Sequence, residues 1–325
     1  MIKDIYEYFE NLEQINLPRK KQNLIYDNDI ISYTAVKHCD GSQSKPLIVN
    51  GTHYYDKPHN YEQSIIDIAS TNMYNHIGIP TPPVYIMENP NTHSKLHTIT
   101  QDVHSIKGLS FVRADELLSK SDIMKLRLHH AGKWDPLYDG DIQRIFLKYM
   151  TKECFDQLIG LFLVDELRSE KDRHEKNYFF YKEPTADKYT GVLPIDNEYT
   201  AVLFHTASNK CNFDEFLYTP YHSPTILGSF EVDNKPYISR IRDIKELLQD
   251  SVLTKDQINL MKRVVSYDLP SEIKTVGNRL YPTRSILNLF IGRNITTAGC
   301  TKTAYDSMAK LWDYNYKELG KDLEL

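Results

Sequence analysis

Apolar side chains recur at Ile2, Ile5, Tyr6, Phe9 and Leu12, a helical spacing that predicts an amphipathic helix over residues 2–15. A strand-rich stretch follows. Ile30 to Val36 reads as one strand, Asp40 to Ser44 as a turn cluster, and Asn50-Gly51 between Pro46–Val49 and Thr52–Tyr55 as a two-residue hairpin. Three antiparallel strands are the simplest product. From Glu62 to Ile77 the residues Ile66, Ala69, Met73 and Ile77 return to one helical face, and Gly78 followed by Pro80 predicts the end of that helix. Pro83 to Met87 and Lys95 to Thr100 read as two further strands around an Asn-Pro-Asn turn.

Beyond about residue 105 helical patterns dominate, at 113–127, 141–168, 238–250, 255–266, 282–293 and 303–318. The exception is a pair of short apolar strands, Tyr178–Tyr181 and Gly191–Ile195, around a Pro/Thr/Asp turn. The expected class is α+β and two-lobed: a small antiparallel-sheet lobe over residues 1–104 and a larger helical lobe over 105–325 that carries the strand pair. Such a pairing suits a ligand in the cleft between lobes. No internal repeat or low-complexity tract interrupts it.

Composition narrows the classes. A chain of 325 residues is long enough to bury a core without staples, and 41% hydrophobic with 26% charged residues, at a mean hydropathy of -0.50, excludes a disordered or fibrous chain. Lys and Arg number 39 against 44 Asp and Glu, so the net charge of -5 gives no bulk field for nucleic acid or an anionic membrane. Cys39, Cys154, Cys211 and Cys300 form no CxxC pair, which argues against a zinc ribbon or a thioredoxin-type site and for reduced, structural thiols. The amino terminus mixes acids into its apolar residues, unlike a secretory signal, and the longest apolar run, Leu158–Val164, is far short of the roughly 20 residues of a membrane span. A cytoplasmic protein is the default expectation, and delivery into a host cell by a machine that reads no such signal is compatible with it. The basic run Arg19-Lys20-Lys21 is ordinarily a solvated linker, or else a grip for a phosphate-rich regulator.

The densest polar cluster runs from Ser169 to Asn177, at the junction of a long apolar helix and a short strand. A charged run of this kind is ordinarily a solvated loop. Here, however, Asp172 and Asn177 stand five apart, and an apolar strand ends nineteen residues later at Asp196. Phosphoryl transfer needs this set: a carboxylate at the attacking hydroxyl, and an amide with a second carboxylate to hold Mg²⁺ against the phosphates. Oxygen donors suit so hard a cation.

The pattern Asp172-Arg173-His174-x-x-Asn177, followed by an apolar strand ending in Ile195-Asp196, resembles that of HipA-type toxin kinases and of phosphoinositide kinases, remote members of the protein-kinase-like superfamily. Gly41-Ser42-Gln43-Ser44-Lys45 resembles the GxQxK loop that covers ATP phosphates in the HipA type, and twelve residues on, His53 to Pro58 resembles the strand with the family lysine, here Lys57. Gly78-Ile79-Pro80-Thr81-Pro82 resembles its GIPxP turn, and the likeness covers about residues 30 to 200. The resemblance implies a protein-kinase-like fold using ATP and Mg²⁺. It implies that Lys57 neutralises the α- and β-phosphates, that Asp172 positions or deprotonates the acceptor hydroxyl, that Asn177 and Asp196 bind Mg²⁺, and that the backbone at Gln101, Asp102 and Val103 meets adenine. For the helix acid that orients Lys57 there are two candidates. Glu62 lies one turn before Ile66 on the inward stripe, and helix geometry favours it, whereas Asp67 has the family-like distance to Gly78, so both stand.

The chain also departs from the pattern. It contains no GxGxxG, HRD, DFG or APE motif, which sets it apart from ordinary eukaryotic-type protein kinases. Asn197-Glu198 stands where DFG would have Phe-Gly, so the usual apolar switch residue is missing, and His38 occupies the place of the serine that some family members phosphorylate on themselves. The expected activity is transfer of the γ-phosphate to a serine or threonine hydroxyl of a protein of unknown identity. Two other readings share these residues: a phosphoinositide or small-molecule kinase, which the few basic residues over 197–235 mildly disfavour, and a pseudokinase-type nucleotide-binding interaction module. Bacterial toxin, effector and housekeeping roles all fit.

Overall fold

The structure, a computed structural model, describes residues 24–26, 30–33, 45–49, 52–59, 61–88, 96–119, 121–122, 140–168, 170, 173, 176–198, 231–232, 235–236, 244–249, 251, 253–278 and 297–325. They fall into two units, one drawn from Met1–Lys107 and Ser271–Tyr305, the other from Gly108–Pro270 and Asp306–Leu325. The expected helices over 2–15 and 282–293 lie outside the described residues.

In the first unit, β1 (Leu24–Tyr26), β2 (Ile30–Tyr33), β3 (Lys45–Val49), β4 (Thr52–His59), β5 (Val84–Glu88) and β6 (Leu96–Gln101) form one sheet in the order β1-β5-β6-β4-β3-β2. Val49 pairs with Thr52, leaving only Asn50 and Gly51 to connect β3 to β4, as the hairpin signal predicts. β2, β3 and β4 are antiparallel neighbours, and β5 and β6 add the two further strands. The sheet is not purely antiparallel, however, because β1 runs parallel to β5. Three residues, Leu24-Ile25-Tyr26, are too few for a sequence period to register.

Helix α1 (Tyr61–Ile77) follows β4 and packs on β5 and β6. The predicted stripe of Ile66, Ala69, Met73 and Ile77 is buried, but so are Ile65, Ile68, Tyr74, Ser64, Asp67 and Ser70, so the helix is enclosed on most of its circumference. Gly78 ends it at φ 98, with Ile79 N–H bonded to the Tyr74 carbonyl at 2.8 Å and Gly78 N–H to that of Asn75 at 3.3 Å. That paired closure requires a left-handed residue, which glycine adopts without a Cβ clash.

In the second unit, β7 (Ser110–Arg113), β8 (Tyr178–Lys182) and β9 (Gly191–Pro194) make an antiparallel three-stranded sheet. Its helices are α2 (Ala114–Leu117), α3 (Gly140–Phe146), α4 (Lys152–Arg168), α5 (Ile244–Gln249), α6 (Lys255–Ser266) and α7 (Thr297–Leu319), the last from Asp306 onward. Two helical expectations are corrected. The helix expected over 113–127 starts one residue later, at Ala114, and its first stretch ends at Leu117, because Arg113 belongs to the β7–β8 pairing and Leu118 is extended. The expected helix over 141–168 is broken, because Tyr149 and Thr151 exchange backbone hydrogen bonds with Tyr189 at 3.0 and 2.9 Å. Thr151 Oγ1 then accepts from Cys154 N–H and caps α4.

α4 is the buried centre of this unit, its Leu158 to Val164 run wholly out of solvent and packed on β9 and α6. Cys154 on the same helix is a free thiol whose ionisation burial pushes well upward, the inert behaviour of a structural cysteine. α6 keeps its expected bounds because Thr254 and Gln257 form a reciprocal capping box. No helix among the described residues is long and apolar enough to cross a membrane.

Candidate active site

The backbones of Asn177 and Asp196, the two expected metal ligands, lie at one end of the β8–β9 hairpin. Tyr178 pairs with Pro194, and the next rung is a hydrogen bond of 3.0 Å from Ile195 N–H to the Asn177 carbonyl, so Asn177 lies opposite Ile195 and one residue from Asp196. Directly opposed strand residues stand about 5 Å apart at Cα. Asn177 is buried; Asp196 is half-buried with Oδ1 shielded from solvent. Asp196 has φ 55, the left-handed region that a residue with a side chain enters at a cost of about 1–3 kcal/mol and that clusters at functional sites.

What holds this end in place is a side chain to which the sequence pattern assigned no role. Arg173 is fully buried. Its Nη1 donates to the Asn177 carbonyl at 2.8 Å and the Ile195 carbonyl at 2.6 Å, its Nη2 to Asn197 Oδ1 at 2.7 Å, and its Nε to Asp165 Oδ2 on α4 at 2.9 Å. Arg168 Nη2 adds a bond of 2.8 Å to the Asn197 carbonyl, and its Nη1 lies 3.4 Å from Glu170 Oε2. One end of α4 is thus tied to both sides of the hairpin mouth. The C-terminus of α4 is itself held by Asn315 of α7, whose Nδ2 donates to the Leu167 carbonyl at 2.8 Å.

This corrects the ordinary expectation for a charged run. Glu170 and Arg173 are 1% and 0% exposed, so the cluster turns inward, and only Lys176 among its described members faces solvent. A hint was present in the sequence: an arginine and an acid inside the helix end, Arg168 and Asp165, supply the buried counter-groups that interior charges require.

In the first unit, Lys57 sits on β4 opposite Thr98 of β6, half-buried, with its Nζ shielded from solvent. Gln101 and Asp102 lie at the other end of the same strand pair. Asp102 N–H donates to the His53 carbonyl at 2.9 Å, Gln101 N–H to that of Pro83 at 3.2 Å, and Asp102 Oδ1 caps the turn Val103–Ser105 through His104 N–H. Tyr55 shares the strand face of Lys57, being two residues away. Its pairing with Thr100 sets Tyr55 beside the segment expected at adenine, and burial first and the Asp102 carboxylate second push its phenol upward. Sequence reading did not single it out. Asp67 on α1 is buried, Oδ2 included.

Asp172 and the loop residues Gly41, Ser42, Gln43 and Ser44 lie outside the described residues, as do the side chains of Glu62 and Lys45.

No protein-family model matches the chain, and no curated protein matches it significantly. Solved structures do. The chain is similar to the Helicobacter pylori proinflammatory kinase CtkA, with a TM-score of 0.54 and 14% identity over 86% of this chain and 92% of that one. It is also similar to a chain of the Shewanella oneidensis MR-1 toxin–antitoxin complex of HipA, HipB and operator DNA, with a TM-score of 0.51 and 13% identity over 98% of this chain and 72% of that one. At this identity the likeness is one of fold.

The donor set of the hairpin mouth fits Mg²⁺. Asn177 and Asp196 offer an amide and a carboxylate oxygen, both hard donors, in adjacent register. Among the described residues no group of three or more His, Cys, Asp or Glu side chains gathers into a metal site. A thiolate- or imidazole-based site, as zinc prefers, is therefore not what the described residues offer.

Proposed function

We propose that this protein is an ATP- and Mg²⁺-dependent phosphotransferase that delivers the γ-phosphate to a serine or threonine hydroxyl of a protein. The observation that supports the reading is the placement of the Asn177 and Asp196 backbones at one end of the β8–β9 hairpin, beside the carbonyls that Arg173 holds, on a protein-kinase-like fold. A magnesium ion bound there would neutralise charge on the phosphate oxygens during transfer. Asn177 and Asp196 would supply its protein ligands, with nucleotide oxygens and water as the others, the sparse protein coordination that Mg²⁺ favours.

The remaining residues take roles that follow from their chemistry. Asp172, five residues before Asn177, would accept the hydroxyl proton or orient the hydroxyl for attack. Lys57 would place its ammonium against the nucleotide phosphates, and Gly41, Ser42, Gln43, Ser44 and Lys45 would cover them. Asp67 is the stronger partner for Lys57, because a carboxylate buried on α1 has to be met by a cation or by donors. At the adenine segment the N–H groups of Gln101 and Asp102 are committed to Pro83 and His53, so the Val103 amide is the donor we assign to the base. The lobes would be residues 1–104 and 105–325.

A protein acceptor follows from the HipA-type motifs, and an effector or toxin role fits the bacterial neighbours, one described as proinflammatory and one from a toxin–antitoxin system. Incubation with radiolabelled ATP and Mg²⁺, against cell-extract proteins and against phosphoinositide vesicles, tests the reading. Label should enter protein serine or threonine with the wild type and fall at least a hundredfold with Asp172→Ala. Label in the lipid alone would give the acceptor to the rival small-molecule reading, and undiminished transfer by Asp172→Ala would remove the assignment of that residue.

A further inference from the structure

Asp196 is a residue with a side chain in the left-handed region, and such a conformation persists only where the surroundings over-determine it. Its two chain neighbours are each fixed by a guanidinium. On one side the Ile195 carbonyl accepts from Arg173 Nη1 at 2.6 Å; on the other, Asn197 Oδ1 accepts from Arg173 Nη2 at 2.7 Å and the Asn197 carbonyl from Arg168 Nη2 at 2.8 Å. The same Arg173 reaches the Asn177 carbonyl and, through Nε, the Asp165 carboxylate. Arg168, Arg173 and Asp165 have no solvent-exposed surface, and Asn197 has 1%.

We infer that Arg173 and Asn197 form a positioning device that holds Asp196 in one conformation and so sets the metal-binding end of the hairpin. This rests on the reading of Asn177 and Asp196 as metal ligands. Asn197 stands where the apolar residue of a DFG motif would be. An apolar side chain there can leave one packed pocket for another at modest cost. Asn197 leaves at a higher cost, because departure takes the 2.7 Å acceptor from a buried guanidinium N–H, although the guanidinium charge stays paired with Asp165. On this inference the fold itself holds the metal-binding end assembled.

Arg173 and Asn197 hold no metal themselves; they act through Asp196. Groups that orient metal ligands are worth about 10–100-fold in metal affinity. The test is ATP binding, titrated in Mg²⁺ and in EDTA, for wild type, Arg173→Lys, Asn197→Ala and Asn197→Asp. Arg173→Lys and Asn197→Ala should each reduce the gain in ATP affinity conferred by Mg²⁺ about 10–100-fold while leaving affinity in EDTA unchanged. Asn197→Asp, which keeps an acceptor for the guanidinium, should restore most of that gain. A lowered melting temperature with an unchanged Mg²⁺ gain in both variants would mean that the clamp is merely structural and would overturn the inference. Should Arg173→Lys fail to fold, Asn197→Ala decides, since Arg173 then keeps Asp165 and both carbonyls. A wild type whose ATP affinity ignores Mg²⁺ would overturn the metal site itself, a result distinct from a clamp without effect.

Discussion

Asp122 shows what a buried carboxylate needs in this chain. Burial alone would raise its pKa, but hydrogen bonds from Lys148 at 2.5 Å, Tyr149 at 2.7 Å and Ser119 at 3.0 Å, with the lysine charge, outweigh it and hold the carboxyl at about 2. A carboxylate depressed in the fold stabilises above its unfolded pKa of about 4 and loses that contribution as pH falls through the folded value. Melting temperatures from pH 7 to pH 2 should show wild type well above Asp122→Asn near neutrality and the two converging as pH falls from about 4 to 2. A gap that stays constant with pH would refute the assignment. The helix acid is decided in the same manner: Asp67→Asn should weaken ATP binding on the order of tenfold, the loss of about 1.4 kcal/mol expected when a buried charge-assisted bond goes, while Glu62→Gln should leave it unchanged. The reverse pattern would return the role to Glu62. The candidates for charge chemistry are legible in the sequence, since Asp172, Asn177 and Asp196 stand at telling intervals. Which ones hold the others was not. The buried contacts of Arg173 depend on where α4 ends relative to β9, and no local period encodes that.

At the scale of elements, the β8–β9 hairpin is built to carry the site. Tyr181 pairs with Gly191, and a Cβ at Gly191 would lie within the Tyr181 ring, so the glycine lets the aromatic side chain fold across the strand pair. Phe111 of β7 packs on Tyr181 on that face, while Lys182 lies over Tyr189 on the other. Gly191→Ala should destabilise the protein by about 1–3 kcal/mol, read as a shift in denaturation midpoint at constant slope. No loss of stability would show that the ring can move aside. Elements with strong local signals were readable: the helical period over 255–266 gives α6, Gly78 stops α1, and Asn50-Gly51 joins β3 to β4. Those fixed by partners far along the chain were not. β7 exists because β8 accepts it, β1 because β5 does, and the break before α4 because Tyr189 pairs with the chain there.

For the molecule as a whole, the order of sheet, helix, two strands, helices and hairpin is the part that sequence pattern conveyed, and similarity of fold to two solved structures accompanies it at 13–14% identity. At such identity the fold persists because core volume and polar–apolar alternation are retained while individual side chains change. Function is a separate matter, carried by a few oxygens. The central claim is that Asn177 and Asp196 share one magnesium ion bound with ATP. Two ligands of one ion are energetically coupled, so their losses do not add. The most direct measurement is a double-mutant cycle on Mg²⁺-dependent ATP affinity with Asn177→Ala, Asp196→Ala and the double variant. The account predicts that Asp196→Ala removes nearly all of the Mg²⁺ gain and that the second substitution then costs little more. Independent, additive losses, or single variants that respond to Mg²⁺ as the wild type does, would contradict it.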